Sequence, residues 1–400
     1  MGLANLTLWV LLLLPLVVAP LLGLLTPYAA LLVIVPLFFV TLFQRNVLPA
    51  YQSYEARAFL VVFVVLAVLF ALTADSVSDA LRAFNFTMLL AYGTTAYFLA
   101  QRAGTISAER VAQLAGLGVA IGFLEVLVSA LLGAERASGP NIGPIVLSNA
   151  LLVLGFISLG GALLRRGRLA WLYLLPPLLA IIATFITTSR GPLLAVPVAI
   201  LVAAWIFWRK RFGGSVRTAI AGLGALVALS ILGVAVFLQS RAGSLLEIVR
   251  TIAQGGTVAD ESTRQRLVFY SVGWQSFLQS PWVGHGWANI MDSVRPFFPA
   301  RDAALATFPQ LHNDVVNFAV GAGVVGVLCY LAIISAPLLG AWLGPKDSQR
   351  TFRLYGAAML TIVYVGGGLT DLMFGFEFHT FLFVMLTAIL LGFCRDKVPA

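Results

Sequence analysis

Apolar stretches of about twenty residues follow one another along nearly the whole chain, and short polar turns separate them. A stretch of this length suffices for an α-helix to cross the roughly 30 Å hydrocarbon core of a bilayer. The pattern predicts an all-α polytopic membrane protein, with one long loop that contains short helices. The twelve predicted transmembrane helices lie at about residues 6–25, 28–43, 58–74, 83–101, 111–133, 144–164, 169–188, 192–208, 218–238, 313–342, 353–371 and 380–394.

The basic residues indicate how these helices are oriented. Alternate loops and the C-terminal tail together hold sixteen of the twenty-five lysines and arginines. By the positive-inside rule these loops face the cytoplasm, and so do both termini. The chain then divides into transmembrane helices 1–9 in residues 1–238, an outer loop domain in residues 239–312, and transmembrane helices 10–12 in residues 313–400.

Composition agrees with this class. Hydrophobic residues make up 60% of the chain and charged residues only 10%, against about 25% charged residues in an average soluble domain. The net charge of +9 is therefore explained by membrane orientation, and no nucleic-acid partner is expected.

Arg190 is the most informative of the nine arginines on the outer side. The segment TTSRGPLLAV places it in a very short turn between two apolar helices. A cation at the edge of a membrane is costly, so a functional partner is expected. The alternative is that Arg190 only anchors the helix ends at the surface.

Other outer arginines are further candidates for binding an anionic substrate. Arg264 and Arg266 open the predicted helix TRQRLVFYSVGW. Two residues correspond to about 200° around a helix, so only one of them can easily point at a shared site. Both could also be solvated surface charges. Arg136 lies in another short outer loop, ERASGPNIGP, and is a further candidate for substrate binding.

His312 ends the long loop, in FPQLHNDVVNF, where the next apolar helix begins. Asn313 and Asp314 suit the start of that helix, as a cap and as a charge at its positive end. His312 is then either a passive polar residue at the membrane surface or a group that accepts a proton from a hydroxyl nucleophile. Beside arginines that bind a diphosphate, it would complete a glycosyl-transfer site.

Metal chemistry is not predicted, because the sequence has no Asp-x-Asp pair, no HExxH and no CxxC. Asp371 with Glu377 is one of a few outer acid groupings. Glu125 stands alone in the fifth predicted helix, and a proton-coupled or anion transporter would use it first. Transport is therefore the rival function from a different class.

Several motifs together resemble the O-antigen ligase and polymerase superfamily of bacterial envelope assembly. They are SRGP after a middle helix, a loop arginine before PWVGHGW, and LHNDVVNFAVGAGVVG near the end. The resemblance covers most of the chain loosely and residues 186–330 in motif detail.

The resemblance implies a GT-C-like, metal-independent and inverting membrane glycosyltransferase without a cofactor. Its donor would be a glycan on undecaprenyl diphosphate, and its acceptor a sugar of the lipid A core oligosaccharide. The site would face the periplasm from the bacterial inner membrane, so residues 239–312 would be a periplasmic loop.

Carried over residue by residue, the family's histidine falls on His312 and its arginines fall on Arg190 and on Arg264 or Arg266. An O-antigen polymerase or a protein O-oligosaccharyltransferase would share the same donor. The lipopolysaccharide ligase is the preferred reading.

Overall fold

The computed structural model describes residues 2–211 and 261–396, and this part of the chain is helical without a β-strand. The longer α-helices are α1 (Leu3–Leu13), α2 (Thr26–Phe43), α3 (Tyr54–Leu72), α4 (Thr87–Ala100), α5 (Ala108–Leu131), α6 (Pro144–Leu159), α7 (Leu175–Ile186), α8 (Ala195–Arg211), α9 (Glu261–Gln279), α10 (Asp314–Leu343), α11 (Arg350–Gly368) and α12 (Glu377–Ala388).

Shorter helices extend or join these elements. Residues Leu14–Val18 form a π-helix after α1, and residues Ile389–Phe393 form another after α12. The turns Arg168–Leu174 and Gly191–Leu194 are 3₁₀ helices that precede α7 and α8. Between α9 and α10 the chain forms one short α-helix at Ile290–Val294 and 3₁₀ helices at Arg295–Phe297 and Ala300–Thr307.

Seven helical segments of the described residues are long and apolar enough to cross a membrane. They are Leu3–Phe43, Tyr54–Leu72, Ala108–Leu131, Pro144–Leu164, Arg168–Ile186, Gly191–Lys210 and Asp314–Leu343. The prediction of an all-α polytopic membrane protein is confirmed.

The number of twelve crossings and their orientation stay predictions. The first segment, 41 residues long, contains two predicted helices. It is interrupted at Gly23, whose φ is 52°, and α1 packs against α2, so the chain folds back there. α4, α11 and Glu377–Phe393 coincide with three predicted helices but lie outside the group of seven. The predicted helix at 218–238 lies outside the described residues.

Two helices form the centres of the packing. Every residue of α6 from Leu147 to Leu159 is buried, because α5, α7 and α11 surround it. α10 packs against α3 and α11, and it also contacts α9. Since α11 packs against both α6 and α10, it joins the two groups of helices.

The motif PWVGHGW attaches α9 to α10 through the backbone. α10 is broken at Ala322 and Gly323, which have non-helical φ and ψ. The break exposes backbone groups that must be paired when they are buried. The N–H groups of His285 and Gly286 donate to the carbonyls of Val320 and Gly321, each at 2.9 Å.

The same contact needs glycine on both sides. Gly284 has a φ of 70°, and a Cβ on it would overlap the backbone of Ala322. Gly323 has a φ of 64°, and a Cβ on it would overlap the backbone of Trp282. Trp287, the last residue of the motif, is buried against Phe318 of α10. The motif therefore has a structural role, which is to fix the helix that bears Arg264 and Arg266.

Candidate active site

The Arg190 turn lies against the end of α11. Thr188, two residues before it, has a φ of 55°, and Ser189 is buried. Gly191 packs so closely on Thr370 that a Cβ would overlap the threonine hydroxyl. Arg190 itself is half-buried. The predicted short turn therefore exists, and it meets a segment that is 180 residues further along the chain.

His312 is held in an unusual backbone conformation just before α10. Its φ is 50°, in the left-handed region that few residues other than glycine adopt. Two hydrogen bonds fix the backbone around it. The N–H of Leu311 donates to Asn317 Oδ1 (3.2 Å), and Asn317 Nδ2 donates to the Asn313 carbonyl (2.8 Å). The Tyr270 hydroxyl lies 3.4 Å from the His312 carbonyl.

The predicted helix start at Asn313 is confirmed. Asn313 Oδ1 accepts a hydrogen bond from the N–H of Val316 at 3.1 Å, as an N-cap does. Its Nδ2 donates to the carbonyl of Leu369 at 3.1 Å. One side chain thus caps α10 and binds the segment after α11.

The His312 ring is paired with a carboxylate. His312 Nδ1 lies 3.2 Å from Asp371 Oδ1, and Gln310 Nε2 donates to the same oxygen at 3.0 Å. The ring also packs on Phe269 and Phe308, with centroid distances of 5.7 Å to each. The side chains of His312 and Asp371 are 23% and 11% exposed, so one part of the ring still reaches the surface.

The Asp371 side chain accepts a hydrogen bond from Gln310 Nε2 through the same oxygen that faces His312 Nδ1. A carboxylate can only accept hydrogen bonds, so His312 Nδ1 donates. In the neutral ring Nε2 then carries the lone pair.

Residues 369–376, which we call the α11–α12 loop, bring these groups together. The Tyr270 hydroxyl donates to the carbonyl of Leu369 at 2.7 Å. The buried carboxylate of Asp314 accepts from the N–H groups of Met373 (2.8 Å) and Phe374 (3.2 Å). The loop thus touches the Arg190 turn, α9 and the start of α10.

The two arginines of α9 point to different partners. Arg266 Nε donates to the carbonyl of Thr370 at 3.1 Å, and its Nη1 donates to Ser262 Oγ at 2.9 Å. Arg264 binds two carboxylates instead, Glu261 at 2.8 Å and Asp302 at 2.6 Å. Only Arg266 therefore contacts the α11–α12 loop, next to Asp371.

The arrangement has the parts of a transfer site for a hydroxyl group and an anionic leaving group. It combines an oriented imidazole with arginines on neighbouring elements. Residues 175–331 match a family model described as O-antigen ligase. The match supports the O-antigen ligase superfamily for these residues, which we call the O-antigen ligase segment. The match supports a membrane glycosyltransferase of the ligase or polymerase type. No curated protein matches the chain.

The O-antigen ligase segment contains Arg190, Arg264, Arg266 and His312, but Arg136 lies before it. Arg136 is exposed, and its loop packs on the N-terminal helices. The N–H of Leu24 donates to the carbonyl of Asn141 at 3.0 Å, and Gly139 lies against Glu125. Among the described residues, these contacts join the Arg136 loop to the N-terminal helices and not to the α11–α12 loop. Arg136 thus stays a prediction without support from contacts.

The partners of His312 also fall partly outside the O-antigen ligase segment. In the sequence, Asp371 stands out only as an acid near Glu377, without an assigned role. The signal was a Thr-Asp pair at the end of an apolar helix, on the same predicted side as His312. Tyr270 and Gln310 were missed, because their contacts join residues 61 to 99 positions apart.

No three His, Cys, Asp or Glu side chains come together as a metal site in residues 2–211 and 261–396. The absence of a metal from the reaction stays a prediction.

Proposed function

We propose that the protein is a lipopolysaccharide O-antigen ligase. It transfers a glycan from undecaprenyl diphosphate to the lipid A core oligosaccharide, without a metal ion, at the periplasmic face of the bacterial inner membrane. The observation that carries the proposal is the His312–Asp371 pair, which lies between the Arg190 turn and α9.

His312 acts as the base in this mechanism. Asp371 holds Nδ1–H, so Nε2 accepts the proton of the acceptor hydroxyl. The hydroxyl oxygen attacks the anomeric carbon of the donor while the bond from that carbon to the diphosphate oxygen breaks. A single displacement of this kind inverts the anomeric configuration. Asp371 stabilises the imidazolium that forms.

Arg190 and Arg266 are proposed to bind the diphosphate. The leaving group gains negative charge as the glycosidic bond breaks, so guanidinium groups already in place favour departure. Both residues border Thr370, Arg190 through Gly191 and Arg266 through the Thr370 carbonyl. Arg264 is the less favoured candidate, because Glu261 and Asp302 already balance its charge.

Reconstitution tests the proposal. Purified protein is mixed with undecaprenyl-diphosphate glycan and lipid A core in the presence of EDTA, and the glycolipid product is quantified. We expect product with the wild type and a loss of at least a hundredfold with His312→Ala or Arg190→Ala. Arg266→Ala should lose more than Arg264→Ala. The matched control is Arg295→Ala, an exposed outer arginine paired with Asp292.

Each part of the proposal has its own contrary outcome. No product in EDTA with recovery by a divalent cation would exclude the metal-independent mechanism. A larger loss with Arg264→Ala would reverse the assignment of the two arginines. An unchanged product yield with His312→Ala would show that His312 is not the base.

The polymerase is the nearest alternative, since the family match supports it equally. It would use a second lipid-linked glycan as acceptor, and a protein O-oligosaccharyltransferase would use a protein hydroxyl. Offering each acceptor separately distinguishes the three enzymes. If product forms only with the lipid-linked glycan as acceptor, the protein is a polymerase and not a ligase.

The transporter alternative rests on Glu125. Both carboxyl oxygens of Glu125 are buried and lack a hydrogen-bond partner among the described residues. Transport predicts solute flux that is lost with Glu125→Gln and kept with His312→Ala. The ligase predicts the opposite pattern for glycan transfer.

A further inference from the structure

A cavity of about 260 Å³ lies far from the candidate active site, between α5, the end of α6 and the start of α7. Gly116 and Pro176 form part of its wall, and Ser158 and Arg165 also line it. None of these residues has a role in the proposed transfer reaction.

The cavity is at the opposite end of α6 from the Arg190 turn. Near the start of α6, Ser148 Oγ lies 2.8 Å from Thr187 Oγ1, three residues before Arg190. Ser158 is ten residues further along the same helix, which is about 15 Å at the rise of an α-helix. The cavity therefore opens beside the RRGR loop, on the predicted cytoplasmic side.

Inside the cavity a polar group is left without a partner. Ser158 is 1% exposed, and its hydroxyl has no hydrogen-bond partner among the described residues. Leaving a buried hydroxyl unpaired costs free energy, unless a ligand supplies the partner. Gly116 lies directly against this hydroxyl.

Basic residues adjoin the lining of the cavity in the sequence. Arg165 Nη1 and the Tyr173 hydroxyl both donate to Glu109 Oε1, at 2.8 and 3.0 Å, so Arg165 balances the charge of Glu109. Arg110 follows Glu109 directly, and Arg166 and Arg168 lie between the lining residues Arg165 and Leu169. All three are exposed and add three positive charges to this part of the surface.

The rim of the cavity is apolar and exposed. Leu169 and Leu172 line it and are 53% and 63% exposed, and Trp171 between them is 59% exposed. Exposed leucines on a membrane helix face acyl chains, and tryptophan is typical of the headgroup level. Basic pockets between helices at this level suit anionic headgroups.

We propose that the cavity binds the phosphodiester headgroup of an anionic phospholipid, with Arg166 and Arg168 at the phosphate, Ser158 as a hydrogen-bond donor and the acyl chains along Leu169 and Leu172. The shared chemistry is a phosphate anion. The exposed apolar rim favours a lipid over free phosphate as its source.

Thermal unfolding of the purified full chain in uncharged detergent tests this site. Phosphatidylglycerol, phosphatidylcholine with the same acyl chains, and sodium phosphate are titrated separately. A ligand that binds only the folded state raises the midpoint as its concentration rises. We expect phosphatidylglycerol alone to raise it.

Substitutions test which residues bind the phosphatidylglycerol. Arg166→Gln/Arg168→Gln should weaken phosphatidylglycerol binding by about tenfold or more. Ser158→Ala should weaken it several-fold without lowering the midpoint of the lipid-free protein. Arg45→Gln/Arg57→Gln removes the same charge from two exposed arginines elsewhere in the chain, before and within the first turn of α3, and should bind like the wild type.

The opposite results overturn the proposal. An equal rise of the midpoint with sodium phosphate would show that the cavity binds a phosphate anion and not specifically a lipid. An equal rise with phosphatidylcholine would show that the anionic headgroup is not recognised. Wild-type affinity in Arg166→Gln/Arg168→Gln would place the lipid elsewhere.

Discussion

Replacing Asp371 by asparagine tests the central contact of the candidate active site. The substitution keeps the size of the side chain and removes its charge. Asparagine can also donate to His312 Nδ1 through Nδ2, which would force the ring proton onto Nε2. His312 would then present an N–H, not a lone pair, to the acceptor hydroxyl.

The structure gives the magnitude of the expected loss. Nδ1 and Oδ1 are 3.2 Å apart, and the two side chains are 23% and 11% exposed. The pair is therefore closer to a buried charged hydrogen bond, which contributes about 1.5–3 kcal/mol, than to a surface ion pair of 0–1 kcal/mol. A loss of this size in the transition state lowers the rate by roughly ten- to 150-fold.

Single-turnover transfer of the labelled glycan to lipid A core measures this rate. Glu377→Gln is the matched control, since it removes an acidic charge six residues away on α12 without touching His312. Thermal unfolding of each variant shows whether the protein is intact.

A second comparison shows whether the two residues act as a unit. Asp371→Asn added to His312→Ala should cost almost nothing more, because the base is already absent. The reasoning is refuted if folded Asp371→Asn transfers at the wild-type rate, or if the losses of the two substitutions multiply.

Three further predictions concern the framework. Asn313→Ala should lower the stability by about 1 kcal/mol through loss of the cap of α10, seen as a lower unfolding midpoint, whereas Asn313→Asp should keep the cap. Gly323→Ala should be worse by at least 1–2 kcal/mol, because alanine is strained at a φ of 64° and its Cβ overlaps Trp282; wild-type stability would contradict the break in α10. The hydrogen bond from Arg264 lowers the pKa of Asp302, against the opposing effect of burial. The ionised Asp302 therefore contributes fully to stability above its ordinary pKa of about 3.9. This contribution is lost as the pH falls through the lower pKa of the folded state. The midpoint difference between the wild type and Asp302→Asn should thus be constant above about pH 5 and shrink below pH 4, and a constant difference down to pH 3 would contradict the pairing.

Helix positions could be predicted well because each membrane helix must pair its own backbone groups and be apolar over most of its length. Both requirements are local, so the sequence displays them. The start of α10 is a good example, since Asn313 caps a helix whose first turn begins at the next residue.

The broken form of α10 is a different case. Glycines in AVGAGVVGVL are equally compatible with close packing of an unbroken helix, so the sequence alone does not indicate a break. The break becomes possible only because the backbone of PWVGHGW, some forty residues earlier, pairs the groups that it exposes.

The sequence by itself determined that the chain is a polytopic helical membrane protein. It also singled out His312 and a few arginines as the candidates for its chemistry. Only the tertiary structure decided that Asp371 is the partner of His312 and that Arg266, not Arg264, contacts the α11–α12 loop. The reason is physical: helix formation depends on neighbours three or four residues away, whereas these pairs lie 59 and 104 residues apart and meet only after the helices have packed.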